Sequence, residues 1–474
     1  MVGYVTLIFM MLATASFFLA PATYSKLFCV WEMLTFVVAA IFFLRHKIGR
    51  NGVICFDTFF IPTFFLINYA HAVFIYPDDQ FLPAFLFATN TDIIPYALAV
   101  AQMGISFYMV GNVFFEREVP EQRQLQVDIP EMAVNRMAWV AFAASAGVFG
   151  YVIVFHLASG FEHLFPRLMA MIVALIALSW FFQAQHREDG DQESPTTEVG
   201  GLTKDCLIKM VRQNKLNIAS LVLFSMAQFL VGSRGTVLWL LFMIVLIVNS
   251  YYFKIRWKVL LPAVLLGIVF MVFLGITRLS SEYNLSSGDL MEGISYGIDF
   301  VMKSPSVLWM LLSDFVVNAK TLYEGIDYTR VNGFLFGTGY IQYLFVFLPM
   351  GGSFFTQLLT GMTMEEVSTG VILTNFSEAT YGLGTNMVGD LYMNFSYFGV
   401  VVLMFLLGMF ISWVEFPKSK YQMFAYLAIF ADCIFLVRAD IFVWLTFFVF
   451  FVIFDWIMRI HINYADIISN KRSS

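Results

Sequence analysis

Runs of about twenty apolar residues recur along this chain, parted by short polar loops, and they leave it few ways to fold. A run of that length is what an α-helix needs to cross the roughly 30 Å hydrocarbon core of a bilayer. Composition points the same way. Of 474 residues, 60% are hydrophobic and 13% charged, and the mean hydropathy is +0.78, whereas soluble domains carry about 25% charged residues. Such a chain cannot cover its apolar surface with polar side chains, so lipid must be the solvent for much of it. Spans are predicted at about 2–20, 27–44, 54–76, 93–115, 137–158, 168–184, 217–233, 236–253, 259–276, 389–414, 423–437 and 441–459. The expected fold is therefore an all-α polytopic membrane protein with about twelve transmembrane helices. The N-terminal run, MVGYVTLIFMMLATASFFLAPA, lacks the basic flank of a signal peptide and reads as an uncleaved first helix.

Orientation follows from lysine and arginine in the short loops. Arg45, Lys47 and Arg50, then Arg117, Arg123 and Arg136, then Arg187, Lys204, Lys209, Arg212 and Lys215 fall in alternate loops. Lys254, Arg256 and Lys258, then Lys418 and Lys420, then Lys471 and Arg472 continue the pattern. The intervening loops offer Lys26, Asp78, Asp79, Asp92 and Arg167. The basic loops are thus cytoplasmic, with both chain ends on that side. Three regions result: a bundle of about nine spans over 1–276, a large outer loop over 277–388, and C-terminal helices with a short cytoplasmic tail over 389–474. The outer loop has aromatics, glycines and about ten carboxylates, too apolar for a disordered linker and too long for a passive turn. Short amphipathic helices folded back on the outer membrane face are expected there.

Several function classes fall away. No basic block with interleaved aromatics suggests nucleic acid, and no GxxxxGK[ST] loop suggests ATP hydrolysis. Cys29, Cys55, Cys206 and Cys433 form no CxxC and read as core filler. His46, His71, His156, His163, His186 and His461 show no metal spacing. Asp189-Gly190-Asp191 has the look of a metal-binding DxD, but its polar inner loop marks it as a solvated charge run. No metal or cofactor is expected.

Charged residues at membrane depth are costly and therefore informative. Arg234 lies in the turn VGSRGT between two spans, Arg278 in GITRLSS just after another, Arg438 in FLVRAD at a helix end, and Arg330 in DYTRVNG in the outer loop. The topology puts all four outside, away from the positive-inside bias. Guanidinium forks suit phosphate oxygens bidentately, and Gly232 and Gly235 let backbone N–H groups approach an anion beside Arg234. Snorkelling to headgroups or helix capping is the plainer reading of any one of them. Carboxylates form the second element. Asp390 lies in MVGDLYMNF and Glu378 in NFSEATYG, and either could be a base on a sugar hydroxyl or an ion-pair partner. Asp432 and Asp440 read as structural partners of Arg438.

These motifs resemble those of the bacterial O-antigen and capsule repeat-unit polymerases, the Wzy group. VGSRGTVLWLLF resembles the family's arginine turn opening an apolar helix, and FLGITRLSSEYN its arginine at the start of a large periplasmic loop. NGFLFGTGYIQYLFVFLP resembles the aromatic segment ending in proline, YGLGTNMVGDLYMNFSYFGV the small-residue stretch entering the next helix, and FLVRAD the arginine of the penultimate helix. One departure stands out: Pro349 is followed by Met350-Gly351 where many members carry a basic residue. The resemblance covers about 215–445 and implies a metal-independent GT-C-like glycosyltransferase of the bacterial inner membrane. It implies action on undecaprenyl-diphosphate-linked oligosaccharide at the periplasmic face, with a chain-length regulator protein as a candidate partner beside membrane lipid. Arg234, Arg278, Arg330 and Arg438 would then bind lipid diphosphate, Asp390 or Glu378 would serve the acceptor, and Tyr340 and Tyr381 would stack on sugars. An O-antigen ligase-like transferase and a flippase for the lipid-linked unit are the alternatives.

Overall fold

The computed structural model describes residues 1–77, 90–119, 130–155, 165–185, 204–231, 233–267, 299, 309, 312–345, 348, 351–379 and 382–473. Among them there is no strand. In chain order the longer helices are α1 (Val2–Leu19), α2 (Lys26–Asn51), α3 (Phe56–Asn68), α4 (Ile94–Phe114), α5 (Glu131–Phe155), α6 (Phe165–Gln185), α7 (Lys204–Gln213), α8 (Lys215–Val231) and α9 (Arg234–Tyr251). After them come α10 (Asn318–Asn332), α11 (Ile341–Leu344), α12 (Gly351–Thr360), α13 (Thr369–Phe376), α14 (Met387–Val414), α15 (Lys420–Ala431) and α16 (Leu445–Ser473). Six helical stretches among the described residues are long and apolar enough to cross a membrane, in α1, α2, α4, α5, α6 and α14, and α3, α8 and α9 are shorter apolar helices. The chain is an all-α polytopic membrane protein.

Helix ends follow local chemistry. The Ser25 side chain accepts the Phe28 N–H at the start of α2, and Gly52, at φ 83°, closes it with its own N–H on the Ile48 carbonyl. Pro95 opens α4, where a missing N–H costs nothing. Gly333, at φ 82°, ends α10 in the same way as Gly52 ends α2.

The helices form two compact units. The first takes Met1–Val119, Asp289–Phe416 and Asp432–Val443, and the second Pro120–Gly288, Pro417–Ala431 and Trp444–Ser474. In the first, α4 and α14 pack along their lengths. A Cβ on Gly408 would run into the Tyr108 carbonyl, and one on Gly111 into the Phe405 carbonyl. Lipid tails are as apolar as leucine, so close backbone approach through small residues supplies van der Waals contact in place of a hydrophobic drive. At the ends assigned to the cytoplasm, Lys47 of α2 is fully buried, 2.6 Å from Glu415 and within 4 Å of Asp57 and Glu116. Arg50 and His46 also reach Glu116, at 3.2 and 2.8 Å, and the Tyr108 hydroxyl donates to Asp57. Four segments of the chain are tied there by charge.

The segment expected to form an outer loop does not simply lie on a surface. Helix α10 is buried along Asn318–Ile326 and packs against α14, α3 and α4. Gly325 abuts the Met393 side chain there, where a Cβ would meet sulfur at 3.3 Å. The predicted span at 423–437 also differs. Helix α15 stops at Ala431, and a 3-10 turn over Leu436–Arg438 follows, with the Asp432 carbonyl taking the Leu436 N–H.

The second unit holds α5–α9, α15 and α16. Rings interlock at its centre, with Phe181–Phe424 centroids at 5.9 Å and Phe424–Phe451 at 5.7 Å. Polar side chains bond across helices: Ser179 to Asn217 at 2.8 Å, Asn217 to Gln183 at 2.7 Å and Asn214 to Tyr252 at 2.7 Å. Lys420 pairs with Asp455.

Candidate active site

The N-terminal end of α14 carries a polar stripe on an otherwise apolar helix. Asn386, Asp390 and Asn394 are spaced four apart, which puts them on one face. Asn386 is the N-cap, its side chain accepting from the Val388 and Gly389 N–H groups. Its own amide donates to Asn68 at 3.1 Å, tying the helix start to α3. Asp390, 1% exposed, stands one turn on. Asn394 donates to the Asp390 carbonyl at 2.9 Å and to its carboxylate at 3.3 Å.

Helix α14 then breaks. Phe395 (φ −140°, ψ 19°) and Ser396 (φ 61°, ψ −168°) are non-helical. A break frees carbonyls that would otherwise face hydrocarbon unpaired, at a cost of several kcal/mol each. The loop segment that precedes α14 supplies the partners. Leu335 N–H donates to the Met393 carbonyl at 2.9 Å and Phe336 N–H to the Asn394 carbonyl at 3.1 Å. Gly337 N–H donates to the Asn394 side chain at 3.0 Å. Gly337 sits at φ 76°, a left-handed backbone that favours glycine, beneath the Phe395 ring, whose tip a Cβ would meet at 2.7 Å.

This docking delivers two tyrosines. Tyr340 donates its phenol to Asp390 at 2.5 Å and is itself 3.3 Å from the Asn394 amide. One helical turn later, Tyr343 donates to Asp440 at 2.6 Å, whose other oxygen accepts the Phe442 N–H at 3.2 Å. The Phe442 ring lies edge-on to Tyr340 at 4.9 Å. Burial, and then the adjacent Asp390 carboxylate, push the Tyr340 phenol far above its ordinary range. Burial and Asp440 do the same to Tyr343. Both phenols are therefore fixed as donors. The arrangement is a water-poor carboxylate, oriented by two side chains, of the kind that can accept a proton from a hydroxyl at a defined position.

Of the residues marked out in the sequence, Asp390 and Tyr340 are brought together. Glu378 is exposed in the turn after α13, at φ 50°, and shares no hydrogen bond or ion pair with that pair. Arg330 is exposed in the last turn of α10 with its guanidinium 5.6 Å from the Tyr96 ring centre. Arg438 is half-buried in the 3-10 turn two residues before Asp440. Arg234 opens α9 in the second unit, and its side chain lies outside the described residues. Arg278 and Tyr381 lie outside them too, as do Pro349 and Met350. Sequence reasoning passed over Asn386, Asn394 and Tyr343, and read Asp440 as an arginine's partner where a tyrosine holds it. The four-residue spacing Asn-Asp-Asn in an apolar run was the available signal for the first two.

No curated protein and no solved structure matches the chain. A family model does, that of the O-antigen polysaccharide polymerase Wzy, over residues 207–464. The match takes in more than half of the chain, including α14, the loop that docks on its break, and Asp440. The order of an arginine-opened helix, a long loop and a broken helix bearing a buried carboxylate thus lies within the matched region, and the chain belongs to the Wzy family of O-antigen polysaccharide polymerases.

Proposed function

We propose that this polymerase joins undecaprenyl-diphosphate-linked oligosaccharides at the periplasmic face, with Asp390 serving the acceptor hydroxyl. The observation that carries the reading is the fixed set Tyr340–Asp390–Asn394 at the break in α14. An acceptor hydroxyl on one lipid-linked repeat attacks the anomeric carbon of the chain held on a second carrier. The new glycosidic C–O bond forms as the bond from that carbon to the diphosphate oxygen breaks, and the hydroxyl proton passes to Asp390. Undecaprenyl diphosphate leaves with the bond electrons, so no nucleotide is spent. Arg234, Arg278, Arg330 and Arg438 are proposed as diphosphate ligands, stabilising charge that grows on the leaving oxygen. Tyr340 holds the carboxylate, and Tyr381 remains a proposed sugar-stacking ring. Glu378 is the second candidate for the base; its exposure favours Asp390.

The glycan profile of a deletion strain complemented with variants tests this. Asp390→Asn is expected to leave single repeat units on the lipid A core at normal protein level, and Tyr340→Phe to shorten and thin the ladder. Arg234→Ala is expected to abolish long chains. A wild-type ladder from Asp390→Asn removes the carboxylate from the reaction. A core bearing no repeat unit at all points instead to a ligase.

A further inference from the structure

A continuous band of rings runs across the first unit beside the break in α14. Phe336 meets Phe334 (6.4 Å between centroids), Phe334 meets Tyr392 (6.3 Å), and Tyr392 meets Tyr96 (6.2 Å, hydroxyls 3.2 Å apart). Tyr96 meets Phe17 (5.4 Å), and Phe17 meets Tyr397 (5.3 Å). The rings come from α1, α4, α14 and the docked loop. Arg330 stands in the middle of the band, over Tyr96. It is exposed, and among the described residues no carboxylate lies within ion-pair distance of it.

The rim of the band is open: Phe18 is 77% exposed, Phe336 76% and Phe398 69%. Phe336 is also at φ 53°, a left-handed backbone that a bulky residue rarely adopts. The N–H bond to the freed Asn394 carbonyl holds it there. The Phe336 ring touches Phe334 and is otherwise open, and backbone outliers of this kind cluster at active sites and ligand clamps.

Exposed rings on a membrane protein are covered by acyl chains without further meaning. A guanidinium set among them is different, since it asks for an anion at the same depth. Its ring-facing side stays on Tyr96 while its N–H edge can take phosphate oxygens. One anionic group joined directly to a long apolar chain fits this pattern, and branched isoprene units suit an aromatic rail. We infer that Arg330 on Tyr96, with the rings of Phe18, Phe336 and Phe398, forms the seat for the diphosphate and first isoprene units of the lipid carrier. The inference rests on the function proposed above for the carrier's identity and adds where its lipid end lies.

Full-length protein in lipid nanodiscs, labelled with a benzophenone-bearing farnesyl diphosphate, tests it. Crosslinks are expected within 330–336 and 392–398. They should be competed away by unlabelled farnesyl diphosphate but not by phosphatidylglycerol, whose phosphate and acyl chains offer the shared chemistry. Arg330→Ala should cut labelling about tenfold, as the loss of one charge-assisted contact of about that size would. Phe336→Gly removes the ring while relieving the backbone, so it should keep or raise the melting temperature and still lose labelling severalfold. Unchanged labelling in both variants overturns the seat, as does equal competition by phosphatidylglycerol. The assay needs no turnover. A polymerising Asp390→Asn with intact labelling would sink the catalytic reading alone, and an inactive Asp390→Asn with unchanged labelling in the seat variants would sink the seat alone.

Discussion

Single residues in this protein act through what a low-dielectric surrounding does to an unpaired charge. Lys47 makes the point. With no exposure and carboxylates of Glu415, Asp57 and Glu116 around it, its ammonium neutralises a cluster that could not otherwise be buried. Lys47→Met leaves those acids facing one another, and removing one partner of a buried ion pair costs about 3–5 kcal/mol. A large fall in melting temperature in detergent is expected, with the glycan ladder lost only as far as folded protein is lost. A stable but inactive Lys47→Met would instead move the cluster into the reaction. Asp390 depends on its neighbours in the same way, but its partners are neutral donors, Tyr340 and Asn394. They orient the carboxylate without cancelling its charge, which suits a group that must take a proton.

At the scale of elements, the decisive features are a close helix crossing and an interrupted helix. Helices α4 and α14 approach until Gly111 and Gly408 touch the opposing backbones. Gly408→Leu has no room to relax, because the obstacle is the Tyr108 carbonyl rather than a side-chain tip. Overpacking in ordinary cores costs about 1–3 kcal/mol, and here the helix pair must separate, so loss of monodisperse protein on size exclusion is expected. Recovery of a normal, active Gly408→Leu would mean that α4 and α14 do not pack as described. The break at Phe395–Ser396 serves the opposite end of α14. It exposes two carbonyls and an asparagine side chain, and the loop segment Leu335–Gly337 is held by all three. The break is thus the docking site of the loop, and the loop brings Tyr340 and Tyr343 to their acids. Interrupted helices recur where membrane proteins must bind polar groups at depth, since freed backbone is tolerated only when protein re-satisfies it.

At the scale of the whole molecule, orientation is the property that function needs most. The lysine and arginine pattern assigns loop 186–216 to the cytoplasm and helix α12 to the outside. A cysteine in place of Ser194 should react with an impermeant maleimide only from the cytoplasmic side, and one in place of Ser353 only from outside. Cys206, in the same loop as Ser194, is first replaced by serine, and Cys29, Cys55 and Cys433 are buried and contribute little background. The reverse labelling would turn the Asp390 end towards the cytosol and leave the proposed periplasmic reaction without a site. What the sequence determined by itself was whatever depends on local composition: helices where apolar runs are long, and Asp390 and Tyr340 as candidates; it also sets the expectation of loop sidedness that the labelling tests. Those signals are additive along the chain and need no partner. Tertiary structure alone decided which candidates meet. Tyr340 and Asp390 are fifty residues apart, and only the break in α14, whose bare carbonyls demand N–H groups from somewhere, brings the loop to the helix. Hydropathy counts apolar residues and cannot register a missing hydrogen bond, so the break, the burial of α10 and the bond from Tyr343 to Asp440 belong to the tertiary structure alone.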